Sequence, residues 1–207
     1  MPVLYHFHDC PYCFKVRLYC HERGVEFTSA LCERGALPPE LPSLAPLGQL
    51  PVWVTDEGKP VFGSRTIIDF LNHLDPGDLL PADPIARARC WMADDVADEG
   101  LLQPLLELDR MTRGKEPGQW DLKRWKVLMG RSRRTLDILE ALLGGREWLI
   151  GGKLSYADIA VALPISVVER YGLDLSAHPP FLLPQGDRIV FEKMADPGRL
   201  LATIIPR

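Results

Sequence analysis

The chain has no apolar run long enough to cross a bilayer. Its longest, Ile159 to Val168, is interrupted by Pro164 and Ser166 and falls far short of the roughly 20 residues a helical span needs. The opening residues, Met1-Pro2-Val3-Leu4-Tyr5-His6, carry neither a basic region nor a long apolar one, so no export signal is read and the expected compartment is the cytoplasm. No charge of one sign dominates: 24 Lys and Arg stand against 28 Asp and Glu, a formal net charge of −4. That excludes the basic balance of a nucleic-acid-binding domain. Cysteines are few and odd in number, five, at positions 10, 13, 20, 32 and 90, which does not fit a disulfide framework and does fit a set of reduced thiols. What remains is ordinary: 207 residues, 46% hydrophobic and 25% charged. Disorder, collagen-like repeats and a global coiled coil are excluded, and the length suits one large domain or two small ones.

Charge is uneven along the chain. Residues 1–109 hold 17 acids and 8 bases, whereas residues 110–134 hold 9 bases and 2 acids. A solvated helix face explains such a stretch; a local field that attracts an anionic small molecule is the sharper alternative.

Val3–Phe7 reads as a strand, His8 to Pro11 as a turn, and the residues from Pro11 to the stop at Gly24 as a helix. Val25–Leu31 reads as a second strand. This is a βαβ unit, whose strands must be parallel. Residues 35–49 read as loop with one or two helical turns. Leu50–Val54 and the strand opening at Pro60-Val61-Phe62 flank the turn Asp56 to Lys59 and form a hairpin. Ser64 is expected to cap a helix whose apolar face holds Ile67, Ile68, Phe70, Leu71 and Leu74. The order is βαβ, an irregular segment, then ββα.

Residues 76–84 are rich in Pro and Gly and mark the boundary between an N-terminal domain, 1–75, and a C-terminal domain, 85–207. Everything after the boundary reads as helical. Ile85 to about Arg113 is expected to be one long helix, and Leu122–Leu143 another, stopped by Gly144. Ser155 and Asp158 have capping-box spacing, with Leu154 and Ile159 placed for a hydrophobic staple. The helix that follows is apolar on all sides and must lie inside a bundle, with Pro164 kinking it. A short helix near 187–195 and an extended tail complete the expectation.

Cys10-Pro11-Tyr12-Cys13 carries the chemistry. At a strand-to-helix junction, Cys10 meets the unpaired N–H groups of a helix start. They favour a thiolate, so its pKa should fall below the free value of roughly 8.5. Cys13, one turn on, can attack a mixed disulfide formed at Cys10. Cys10 is therefore the expected nucleophile and Cys13 the resolving thiol. Two buried structural cysteines are the plain alternative. A zinc site is poorly served by one Cys-x-x-Cys pair with His6 and His8, so no metal is expected; a cluster bridging two chains through Cys10 remains open. Cys20, Cys32 and Cys90 read as structural. Pro51, opening a strand, is either cis, with the backbone of Leu50 turned outward to pair with an extended ligand, or an ordinary trans edge proline. Ser64 at a helix start offers a carboxylate site or only a cap. Arg65 adds charge there or faces solvent.

Four stretches together resemble the cytosolic glutathione transferases, in their cysteine-bearing, glutaredoxin-like branch. They are Cys10-Pro11-Tyr12-Cys13, Pro46 to Val52 with Gln49-Leu50-Pro51 at its centre, Ser64-Arg65-Thr66-Ile67-Ile68-Asp69-Phe70-Leu71, and Gly152 to Ala160. The resemblance implies an α/β, thioredoxin-like N-terminal domain, an all-α helical-bundle C-terminal domain, and a homodimer. It implies glutathione as co-substrate, bound near Pro11, Tyr12, Gln49, Leu50, Pro51, Ser64 and Arg65. The cysteinyl part would pair with Leu50 beside a cis Pro51, the γ-glutamyl carboxylate would meet Ser64, and the acceptor would sit between the domains. Three departures stand out. Gly63 occupies the position where the family commonly has an acid. His6 falls where several branches have an activating tyrosine, with Tyr5 one place off. Cys10 falls where others have serine, so the second departure is the absence of either hydroxyl, and the third is that the last 35 residues match the family only loosely.

The activity expected is a glutathione-dependent thiol transferase, with Cys10 acting on mixed disulfides or small oxidised acceptors. The alternative is glutathione conjugation to, or isomerisation of, a hydrophobic electrophile. A third reading is a non-catalytic relative used for assembly. No nucleic acid or membrane partner is expected.

Overall fold

Alternation along Val3–His6 makes it strand β1, with Leu4 and His6 buried and Val3 and Tyr5 half-buried. Helix α1, Pro11–Arg23, follows. Pro11 suits its first position, where an N–H has no partner to lose. Gly24 ends it at φ 64°, a left-handed conformation that glycine adopts without a Cβ penalty. The structure is a computed structural model, and it describes residues 1–168. The helix expected near 187–195 and the extended tail lie outside the described residues.

Strand β2, Thr28–Leu31, pairs parallel with β1, Val3 opposite Thr28. It begins three residues later than the expected Val25, because the Val25 N–H bonds back to the Cys20 carbonyl at 2.9 Å and closes the helix end. One helical turn, α2 at Leu41–Leu44, interrupts the loop that follows. Strands β3, Val52–Val54, and β4, Pro60–Phe62, form the expected antiparallel hairpin, and β3 runs antiparallel to β1. The sheet order is β2-β1-β3-β4.

Helix α3, Ser64–Leu74, buries Ile67, Ile68 and Leu71. Each such side chain contributes about 1.5–3 kcal/mol when fully removed from water. Two expectations fail here. Leu74 is 64% exposed, since it ends the helix beyond the covered face. Gly63, not Ser64, is the N-cap: it has φ 85°, its carbonyl accepts from the Ile67 N–H at 2.9 Å, and no side chain caps the helix. Ser64 is the first helical residue and is buried. An acid at 63 would have to hold a left-handed φ, which accounts for glycine there.

The chain divides into two compact units between Leu80 and Pro81. The described part of the second is helical. Helix α4, Pro84–Ala97, is capped by Asp83, whose carboxylate accepts from the Ala86 N–H at 2.7 Å. The expected single helix to Arg113 is broken in register: Asp98–Leu102 is a π-helical turn and α5 is Gln103–Thr112. The Gln103 N–H bonds to the Asp98 carbonyl, five residues back. Pro104 has no N–H to give to Gly100, so the regular ladder cannot pass this point. Gly100 also abuts Thr135, whose Oγ1 would lie 2.3 Å from an added Cβ. Helix α6, Leu122–Leu143, has the expected bounds and buries Leu128, Met129, Leu136, Leu139 and Leu143. Its bases Lys123, Lys126, Arg131, Arg133 and Arg134 are exposed, a solvated face. Arg124 pairs with Glu107 of α5 at 2.6 and 2.8 Å.

Helix α7, Tyr156–Val168, contains Pro164, and its residues Tyr156, Ala157, Ile159, Ala160 and Ala162 are fully buried. Tyr156 donates its hydroxyl hydrogen to Asp94 of α4 at 3.1 Å. At its start the capping box is half inverted. The Asp158 carboxylate accepts the Ser155 N–H at 2.8 Å, as expected, but the Ser155 hydroxyl donates to that carboxylate at 2.7 Å. Asp158 also accepts the Leu149 N–H at 2.9 Å, tying in the preceding loop. Among the described residues no helix is long and apolar enough to cross a membrane.

Candidate active site

Cys10 is the N-cap of α1 in an extended conformation, φ −83° and ψ 119°. Its Sγ accepts the Cys13 N–H at 3.5 Å. A hydrogen bond from the Cys13 thiol, the N–H groups of Cys13 and Tyr12, and the charge of Arg34 together outweigh burial and bring the Cys10 thiol down to about 7. Cys13 moves the opposite way: burial, then its bond to Cys10, push its thiol far above the ordinary range. Cys10 keeps 8% exposure and Cys13 none, so a reagent meets Cys10 first. All five cysteines are free and buried, and burial raises the Cys20 thiol to about 12. A pH series of Cys10 alkylation should therefore show a midpoint near 7; one at or above about 8.5 would contradict activation by the helix start.

Arg34 lies across this junction, bonded to Asp9 at 3.1 Å with its guanidinium 4.5 Å from the centre of the Phe7 ring. No motif singled it out, because it reaches Cys10 through space from the loop after β2.

His6 does not serve the site as a hydroxyl-like group would. It is fully buried, its Nδ1 lies 3.0 Å from Arg17 Nη1, and its Nε2 lies 2.7 Å from Ser29 Oγ. Arginine can only donate, so Nδ1 accepts and the proton sits on Nε2, donating to Ser29. Burial first, then the Arg17 charge, lower the His6 pKa to about 4. The unfolded chain therefore binds an extra proton between pH 6.5 and about 4. Stability should therefore rise as pH rises across that window, by at most about 1.4 kcal/mol per pH unit. His6→Gln should flatten that part of a denaturation-against-pH curve; an unchanged slope would rule out His6 as the cause.

Leu50-Pro51 is a cis peptide bond, as one of the two readings held. The Cys10 thiol points at the Leu50 carbonyl at 3.9 Å. The Leu50 N–H donates to no group among the described residues. Cys10, Cys13, Cys32, Leu41, Ala45, Leu50 and Val52 form one buried cluster, against which Tyr5, Phe7 and Tyr12 pack. Tyr5 directs its hydroxyl to Glu40 at 3.0 Å. Pro11 and Tyr12 are half-buried at the first two positions of α1, and Pro51 is buried. Gln49 and Arg65 are exposed. Ser64 sits in the first turn of α3, where N–H groups have no intrahelical acceptor. Among the described residues no cluster of His, Cys, Asp or Glu could hold a metal.

A cysteine capping the first helix of a four-stranded mixed sheet, facing the residue before a cis proline, with a helical unit following in the chain, defines a two-domain protein of the thioredoxin-like, glutathione-using kind. Residues 9–74 match the family model for the glutathione S-transferase N-terminal domain, and residues 121–182 match that for the C-terminal domain. The chain is 28% identical over 186 residues to maleylacetoacetate isomerase of Mus musculus, covering 86% of this chain and 83% of the relative. It is 29% identical over 181 residues to FtsZ-localized protein A of Caulobacter vibrioides, covering 82% and 78%. A glutathione S-transferase structure from Methylobacillus flagellatus KT, with GSH bound, superposes with a TM-score of 0.80 at 25% identity, over 94% of this chain and 98% of that one. The chain belongs to the glutathione transferase superfamily and is an enzyme of that superfamily.

Proposed function

We propose that the protein is a glutathione-dependent thiol transferase with Cys10 as nucleophile. The observation that carries this is the Cys10 thiol at the α1 N-cap, 3.9 Å from the Leu50 carbonyl beside cis Pro51. Glutathione, the co-substrate, pairs its cysteinyl backbone with Leu50 as an added strand does. Its γ-glutamyl carboxylate takes the first-turn N–H groups of α3 at Ser64. The Cys10 thiolate attacks the glutathione sulfur of a mixed disulfide. That S–S bond breaks, the acceptor leaves as a thiolate and takes up a proton, and a Cys10–glutathione disulfide forms. A second glutathione thiolate attacks the bound glutathione sulfur, releasing glutathione disulfide and restoring the Cys10 thiolate. Cys13 can resolve instead, releasing glutathione and forming a Cys10–Cys13 disulfide.

A second reading, isomerisation or conjugation of an electrophile, is favoured by the relatives named maleylacetoacetate isomerase. It needs a glutathione thiolate and no disulfide to the enzyme. Assay of the purified protein against a glutathione mixed disulfide and a chloronitrobenzene separates the two. Turnover of the mixed disulfide, lost in Cys10→Ser, supports the transferase. Conjugation alone, retained in Cys10→Ser, replaces it with the second reading.

A further inference from the structure

Arg17 is 1% exposed, yet the groups its guanidinium meets are neutral: His6 Nδ1 at 3.0 Å, the His8 carbonyl at 3.0 Å and the Phe14 ring at 5.6 Å. Among the described residues its Nε has no hydrogen-bond partner and no carboxylate pairs with it. His6 cannot offset the charge, because it is the neutral acceptor of one of these bonds. A buried guanidinium without a counter-charge is costly. Arg17 lies four residues after Cys13 on α1, so both project from one face of the helix that Cys10 caps. Among the described residues, the anion its helix face offers is a thiolate of the Cys10–Cys13 pair.

We propose that Arg17 is a buried positioning charge that favours the dithiol–thiolate state of Cys10 and Cys13 over their disulfide, and so sets the reduction potential of the pair. Burial lowers the Arg17 pKa and the charges of Cys13 and Cys10 oppose that fall, while burial raises the Cys13 thiol and Arg17 opposes that rise, in keeping with such a coupling. The other ionisable groups around the pair include Arg34 and Asp9, Cys32, Tyr5 with Glu40, Tyr12 with the buried Lys15 over its ring, and His6 and His8. In forming the disulfide, the thiolate and the remaining thiol give two electrons and one proton to glutathione disulfide, which takes a second proton from water and becomes two glutathione molecules. The pair then carries no anion, and Arg17 is left uncompensated. The proposal rests on the reading of Cys10 and Cys13 as a reactive pair, but the equilibrium needs no acceptor substrate. A protein inactive on every acceptor still gives the answer.

The test is equilibration of the full chain with glutathione and glutathione disulfide, with acid quenching and alkylation to count the disulfide. Arg17→Gln keeps N–H donors for His6 and His8 and removes the charge; Arg17→Lys keeps the charge. Arg17→Gln should shift the equilibrium about tenfold toward the disulfide, roughly 30 mV more reducing for a two-electron couple, and raise the Cys10 alkylation midpoint. Arg17→Lys should remain nearer the wild type on both. An equilibrium unchanged in Arg17→Gln overturns the proposal, as does Arg17→Lys matching Arg17→Gln. If Arg17→Gln does not fold, the wild type decides: its dithiol form should melt above its disulfide form at pH 8, and the reverse order overturns the proposal.

Discussion

Cys10→Ser should lower thiol-transferase turnover by at least about a thousandfold, the largest effect expected from any single substitution here. A serine hydroxyl at the helix start keeps the capping geometry, so the fold should survive. What it loses is the anion. A thiol at about 7 is substantially ionised at neutral pH, whereas an aliphatic hydroxyl is not and cannot form the mixed disulfide. Cys13→Ser should act differently. Cys13 is fully buried with its thiol held far up the scale, so external glutathione can resolve the intermediate and turnover should stay within about threefold of the wild type. Steady-state rates on one mixed disulfide, with intact-mass detection of the glutathionylated enzyme, check both. Cys10→Ser retaining more than a tenth of the wild-type rate would remove Cys10 from the nucleophile's role.

Asp158→Ala should destabilise the helical unit by about 3–5 kcal/mol, the sum expected when several buried donors lose one charged acceptor. One carboxylate satisfies the Leu149 N–H, the Ser155 N–H and the Ser155 hydroxyl. Leu149 and Ser155 are buried, so water does not readily replace the lost acceptor. Burial raises the Asp158 pKa despite the three bonds. Asp158→Asn, which keeps one acceptor oxygen, should lose less than the alanine variant. Urea unfolding followed by far-ultraviolet circular dichroism gives both values. A loss under about 1 kcal/mol for Asp158→Ala would mean the loop at Leu149 does not depend on this acceptor.

The elements legible in the sequence were those decided within a few residues. Pro11 at a helix start, Gly24 and Gly144 at helix ends, the Asp56–Lys59 turn and the span Leu122–Leu143 are all local choices of φ, missing donors and periodicity. The pairing of Cys10 with Cys13 is local too, since three residues bring them one turn apart. Arg17 obeys the same local rule, since it stands four residues, one helical turn, after Cys13.

Elsewhere local rules pointed the wrong way. Ser64 has the composition of a cap, but the path of the chain out of β4 places Gly63 there at φ 85°. Ile85–Arg113 has the pattern of one helix, but Pro104 withholds a donor and the ladder widens into a π turn where Gly100 meets Thr135, 35 residues on. The sequence by itself determined which residues could cap, turn and carry a thiolate, because those depend on each residue's own chemistry and its nearest neighbours. Only the tertiary structure decided that Cys10 would face Leu50, that Arg34 would lend it charge, and that His6 and Arg17 would be sealed beneath it. Those outcomes depend on contacts between residues far apart in the chain, whose free energies appear only when the sheet and helices have packed.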